Sequence, residues 1–120
     1  MPKLSKKNNV MSRSSFNELK QSEKPILIDF HAEWCGPCKA FGPVLEEVKK
    51  ELGDTIRIVK IDVDKNTKLL EHVSIMGVPT IMIYCKGEEY FNAPGVQSKT
   101  WIINKLNSII EAEKEANPID

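Results

Sequence analysis

The run Ile26-Leu27-Ile28-Asp29-Phe30 places apolar residues side by side rather than at alternate positions, and only Asp29 interrupts it. Such a run predicts a strand covered on both faces, as in the middle of a parallel sheet. Before it, Ser15-Phe16-Asn17-Glu18 has the spacing of a capping box and predicts a short helix through about Gln21, ended by Lys24-Pro25. After it, Phe41, Val44, Leu45, Val48 and Leu52 recur three and four apart, so an apolar stripe runs down a helix from about Cys35 to Leu52. Pro43 falls inside that helix and predicts a kink. Gly53-Asp54 turns the chain into a second largely apolar strand, Ile56 to Val63, and Asp64 or Asn66 then caps a short helix carrying Leu69, Leu70 and Val73.

Gly77-Val78-Pro79-Thr80 leads into a strand from Ile81 to Tyr84. Lys86-Gly87 makes a hairpin turn, and Glu89-Tyr90-Phe91 is the return strand. Ala93-Pro94-Gly95 breaks the pattern again, and Ser98 caps a last helix with Trp101, Ile102, Leu106, Ile109 and Ile110 on its apolar face. From Glu111 the chain reads as a polar tail, and at the start only Val10-Met11 offers a first strand. The order β-α-β-α, hairpin, helix predicts an α/β domain with a central mixed sheet flanked by helices on both faces. Its expected limits are 11–112, between a flexible segment at 1–10 and a tail at 113–120.

With 120 residues, one domain is large enough for a core without staples. Seventeen basic and seventeen acidic residues cancel, which removes the electrostatic case for nucleic acid or a membrane surface as partner. Lys3, Lys6, Lys7 and Arg13 at one end and Glu111, Glu113, Glu115 and Asp120 at the other read as solvated ends. No apolar run approaches the roughly eighteen residues of a membrane span, and Asn8, Asn9, Ser12 and Arg13 interrupt the place where a signal peptide would be apolar. Three cysteines, an odd number, do not suit a secreted disulfide framework. The expected location is the cytoplasm, where a dithiol stays reduced, and the expected state is a monomer.

The chemistry is concentrated in Trp34-Cys35-Gly36-Pro37-Cys38-Lys39. Two thiols separated by two residues, directly after a strand and at the opening of a helix, can close into one small disulfide ring. A sulfur at the helix N-terminus meets unpaired N–H groups and the positive end of the dipole, which favour a thiolate. Cys38 lies one turn further on the same face, within reach. Pro37 suits the first helical turn, where a missing N–H costs nothing. This arrangement points to thiol–disulfide exchange. Half of a zinc site is the main rival, but structural zinc needs four ligands and only Cys85, His31 and His72 remain, so no metal is expected.

With the cysteine motif, Asp29-Phe30, Ala32-Glu33-Trp34, Pro43, Lys60-Ile61-Asp62, Gly77-Val78-Pro79-Thr80 and Gly95 fall in an order that resembles the thioredoxin family, over nearly all of Ser15 to Ile110. The resemblance implies the thioredoxin fold and a protein-disulfide reductase, an enzyme cycling between dithiol and disulfide. It implies Cys35 as nucleophile and Cys38 as the resolving, more buried thiol. Asp29 would handle the Cys38 proton with Lys60 tuning it; a carboxylate in an apolar strand is desolvated and its pKa raised, unless Asp29 points to solvent at a strand end. Pro79 is expected to be cis and to lie against the dithiol, with an ordinary trans proline as the alternative. The Val78 backbone would pair with an extended substrate segment, beside Trp34, Gly36, Pro37, Gly77 and Gly95. No bound cofactor is implied: electrons come from NADPH through a thioredoxin reductase, and the other partners are disulfide-containing proteins. The Gly-Pro pair between the cysteines resembles reducing members. An extracytoplasmic oxidant or isomerase, and a non-catalytic binding module of the same fold, stay open.

His31 departs from the pattern, standing where most family members carry a second tryptophan. Four residues before Cys35, its imidazole reads as filling space, with stabilisation of the thiolate as the alternative. Cys85 reads as a small hydrophobe and His72 as a surface residue.

Overall fold

The computed structural model describes residues 10–116. Within them the chain forms α1 (Arg13–Lys20), β1 (Ile26–His31), α2 (Gly36–Leu52), β2 (Arg57–Asp62), α3 (Thr67–Leu70), β3 (Thr80–Cys85), β4 (Glu88–Pro94) and α4 (Lys99–Ala116). Short 3-10 turns at Gly53–Thr55 and Val63–Lys65 bracket β2.

The strands make one mixed sheet in the order β2-β1-β3-β4, with β1 parallel to β2 and the other neighbours antiparallel. The alternation of side chains along β1 explains its apolar run. Ile26, Ile28 and Phe30 enter a core cluster with Phe16 and Leu19 of α1, Leu69 of α3 and Met82. Leu27 faces the opposite way, into a cluster with Phe41, Leu45 and Val48 of α2, Ile81 and Ile83, and Ile102, Leu106 and Ile109 of α4. Helices therefore cover both faces of the sheet. Asp29 and His31 share the parity of Leu27 and face the α2 side.

Four local expectations are corrected. Helix α1 starts at Ser12 rather than Ser15: the Ser12 hydroxyl accepts the Ser15 N–H at 3.0 Å. Met11, just before that cap, and Phe16, four positions into the helix, belong to one core cluster, the arrangement of a hydrophobic staple that fixes the entry of the chain. Val10-Met11 accordingly forms no strand; Met11 is buried and its N–H donates to Asn66 Oδ1 at 2.7 Å.

Neither Asp64 nor Asn66 caps α3 through its side chain. Asp62 Oδ1 instead accepts the N–H groups of Asp64 and Lys65, and Asn66 Nδ2 donates to the Asp62 carbonyl at 2.7 Å. Among the described residues β2 lies at one end of the sheet, half-buried at Arg57, Ile58 and Val59 and exposed at Lys60. Helix α4 continues to Ala116, past Glu111, because Tyr90 donates to Glu113 at 2.7 Å and Lys86 pairs with the same carboxylate at 3.3 Å.

Other expectations are met. Ser98 caps α4, its hydroxyl accepting the Trp101 N–H at 3.1 Å. Lys86 and Gly87 both have positive φ, 53° and 85°, as a tight hairpin turn demands. Residues 1–9 of the expected flexible segment at 1–10, and the last four residues of the expected tail at 113–120, lie outside the described residues.

Candidate active site

The β1–α2 link brings Cys35 to the end of a helix. Its N–H donates to the Ala32 carbonyl at 3.2 Å, closing a turn, and its backbone stays extended (φ −91°, ψ 109°) while α2 begins at Gly36. Cys35 Sγ accepts the Cys38 N–H at 3.1 Å. A sulfur thus stands where Ser, Thr or Asp usually supplies the capping oxygen, at the positive end of a 17-residue helix. Gly36 and Pro37 fill the first helical positions and are exposed. Cys38, one turn on, is joined to Cys35 in a disulfide with the Cα atoms 5.2 Å apart.

Exposure does not separate the two cysteines: Cys35 is 5% exposed and Cys38 7%. The expectation of a more buried Cys38 is corrected: as whole residues the two are buried alike. What separates them is the cap, and what each one faces. Cys35 Sγ lies 3.7 Å from the Val78 carbonyl oxygen. The Val78–Pro79 peptide is cis, and Thr80 donates its hydroxyl to the Gly77 carbonyl at 2.5 Å. Gly95, at φ 103°, donates its N–H to the Pro79 carbonyl at 2.8 Å, which draws the two loops together. Such a φ is open to glycine and strained for other residues. Trp34, next to Cys35 in the chain, is 70% exposed, with Nε1 donating to Asp64 Oδ2 at 2.8 Å. Asp64, read from the sequence only as a possible cap, is the anchor of that indole.

Cys38 opens instead on a pocket of about 420 Å³ lined by Asp29, His31, Ala32, Glu33, Lys39 and Lys60. Asp29 is 2% exposed, and among the described residues its Oδ1 has no hydrogen-bond partner. Burial pushes its carboxyl pKa up, against the pull of His31 and then Lys60. Lys60 pairs with Asp29 in the β1–β2 register, and its Nζ lies 3.7 Å from where a Cβ on Gly42 of α2 would stand. His31, read as a neighbour of Cys35, is thus a wall of the pocket on the Cys38 side; spacing along the chain held no signal for that.

Cys85 is fully buried and donates its thiol to the Glu23 carbonyl at 3.4 Å; burial pushes its pKa up, as suits a small core residue. His72 is exposed. Among the described residues, no group of three or more His, Cys, Asp or Glu side chains is placed to hold a metal, and no helix is long and apolar enough to cross a membrane.

The family model of thioredoxin matches residues 7–108. The chain belongs to the thioredoxin family. It is 39% identical over 103 residues to the thioredoxin of Rickettsia prowazekii, covering 86% of this chain and 98% of that one. It is 33% identical over 101 residues to a bifunctional thioredoxin reductase/thioredoxin of Mycobacterium leprae, covering 84% of this chain and 22% of that protein. The fold matches the crystal structure of thioredoxin from Trypanosoma brucei brucei with a TM-score of 0.74 at 24% identity, over 92% of this chain and 93% of that one. The sheet and its helices are the thioredoxin fold. The protein is a thiol–disulfide oxidoreductase, cycling between dithiol and disulfide through Cys35 and Cys38.

Proposed function

We propose that this thioredoxin is a cytoplasmic reductase of protein disulfides in which Cys35 attacks and Cys38 resolves. One observation carries the assignment: Cys35 Sγ, not Cys38, is the acceptor at the N-terminus of α2. In the reduced protein that N–H and the helix dipole favour a Cys35 thiolate. The thiolate attacks one sulfur of the substrate disulfide, a Cys35–substrate disulfide forms, and the other substrate sulfur leaves as a thiolate. Cys38 then attacks Cys35 Sγ, its proton passing to the Asp29 carboxylate, and the second substrate sulfur is released. Two electrons have moved from the protein dithiol to the substrate, and the Cys35–Cys38 disulfide remains.

Lys60, beside Asp29 in the pocket, tunes the carboxyl against the burial that raises it. Substrate lies over Trp34, Gly36, Pro37, Gly77, Val78, Pro79 and Gly95, with the Val78 backbone pairing an extended segment. The exposed apolar side chains of Trp34, Met76 and Val96 favour burial against such a partner. Electrons return from NADPH through a thioredoxin reductase, a partner supported by the family and by the fused relative. The protein works as a monomer and itself holds no cofactor.

The test uses reduced Cys38→Ser and Cys35→Ser proteins mixed with disulfide-containing proteins. Cys38→Ser accumulates mixed disulfides on non-reducing gels and Cys35→Ser does not. A reversed pattern would overturn the assignment. With a thioredoxin reductase and a protein disulfide present, the wild type drives NADPH oxidation; an inert wild type would exclude the reductase reading.

A further inference from the structure

The pocket beside Cys38 has an ionisable wall that this reaction scheme leaves unused. Asp29 is buried, so a proton that it accepts still has to reach water. His31 follows two residues later on β1, on the same face of the sheet, half-buried, and it lines the pocket with Asp29 and Cys38. Imidazole is the side chain suited to taking a proton at one nitrogen while releasing one from the other near neutral pH. Cys35 is not among the residues lining this pocket, so the imidazole serves the resolving thiol rather than the attacking one.

We propose that His31 is a positioning residue that passes the Cys38 proton between Asp29 and solvent. The inference rests on the reading of Asp29 given above. During resolution the substrate–Cys35 bond breaks and the Cys35–Cys38 bond forms. The Cys38 proton moves to the Asp29 carboxylate and then to the imidazole, whose other nitrogen releases a proton to water. When the disulfide is reduced, the path runs inward and delivers a proton to Cys38 as it leaves. No electrons pass through His31. The charged groups around His31 are Asp29 on its own strand, Lys60 on β2, Asp62 on β2 as the register partner of His31, Lys39 on α2, and Glu33 in the link, 3.9 Å from Lys65.

Reduction of the oxidised protein by dithiothreitol, followed by tryptophan fluorescence across about pH 6 to 9, tests this through a double-mutant cycle. His31→Gln should slow the reaction per thiolate about threefold to tenfold, less than the roughly hundredfold that a general base itself contributes. Asp29→Asn should slow it more, and adding His31→Gln to Asp29→Asn should change nothing further. Added imidazole should restore the rate of His31→Ala but not that of Asp29→Asn, a rescue that a purely structural role would not give. Alkylation of Cys35 by iodoacetamide should keep its pH profile in His31→Gln. Additive slowing in the double variant, a wild-type rate for His31→Gln, or a shifted Cys35 profile would each overturn the inference while leaving Asp29 in place. A wild-type rate for Asp29→Asn would remove the Asp29 assignment and the inference with it.

Discussion

Asp29 and Lys60 are register partners across the parallel pairing of β1 and β2, the carboxylate buried and the lysine exposed. Both line the pocket that reaches Cys38. The pairing sets an order of effects: burial raises the Asp29 pKa most, and the charges of His31 and Lys60 draw it partly back. A carboxylate kept in an apolar strand on these terms costs stability.

That cost has a definite pH dependence. Folded Asp29 holds its proton at pH values where the unfolded chain has released it. Stability is therefore greatest below the unfolded pKa, falls as pH rises toward the folded pKa, and stays lower above it. Asp29→Asn should raise Tm at neutral pH, by roughly 5 °C for each 1 kcal/mol relieved, with the gain shrinking in acid. Melting curves across pH check this, and an unchanged or lower Tm at neutral pH would contradict it.

The start of α1 gives a sharper local test. Ser12→Ala removes the oxygen that accepts the Ser15 N–H and should cost about 1 kcal/mol. Ser15→Ala and Glu18→Ala, which would break the capping box that the sequence suggests, should each cost less. Urea midpoints of the three variants rank them.

Asn66 joins three segments. Its Oδ1 accepts the Met11 N–H and its Nδ2 donates to the Asp62 carbonyl, both buried. Asn66→Ala strands both partners and should destabilise the protein by about 2–3 kcal/mol. Equilibrium unfolding measures it, and a loss within about 0.5 kcal/mol would mean that neither bond matters.

Cys85 should be chemically silent. With its thiol fully buried and its pKa pushed up, fewer thiolates form and reagents have no access. Mass spectrometry after alkylation of the reduced protein should show labels on Cys35 and Cys38 only in the native state, and on Cys85 as well after unfolding. Early native labelling of Cys85 would contradict its placement in the core.

The elements with one strong signal were legible in the sequence. The apolar run of β1, interrupted by Asp29 alone, the stripe on α2, the Lys86-Gly87 turn and the paired cysteines, whose zinc reading failed for want of ligands, are each where they were expected. Where two local signals competed, sequence alone chose wrongly. Ser15 with Glu18 matches the capping pattern better than Ser12 does, yet the core contacts of Met11 and Phe16 decide where α1 begins. Periodicity registers apolar residues, so it read α4 as ending where its stripe ends, although Glu111, Ala112 and Lys114 are good helix formers held by the Tyr90–Glu113 bond. The pocket around His31 was out of reach, because Lys39 and Lys60 join it only through the packing of α2 and β2.

The capping contact made by Cys35 bears on how inactive controls are chosen. Cys35→Ala deletes the reactive sulfur together with the acceptor for the Cys38 N–H, so its defects mix lost chemistry with a frayed helix start. Cys35→Ser keeps an oxygen there, and serine is among the preferred residues for that position. The two dead proteins are different molecules: the alanine form should be the less stable by about 1 kcal/mol. A partner that binds the serine form and not the alanine form is reading the shape of the loop rather than the presence of a thiol.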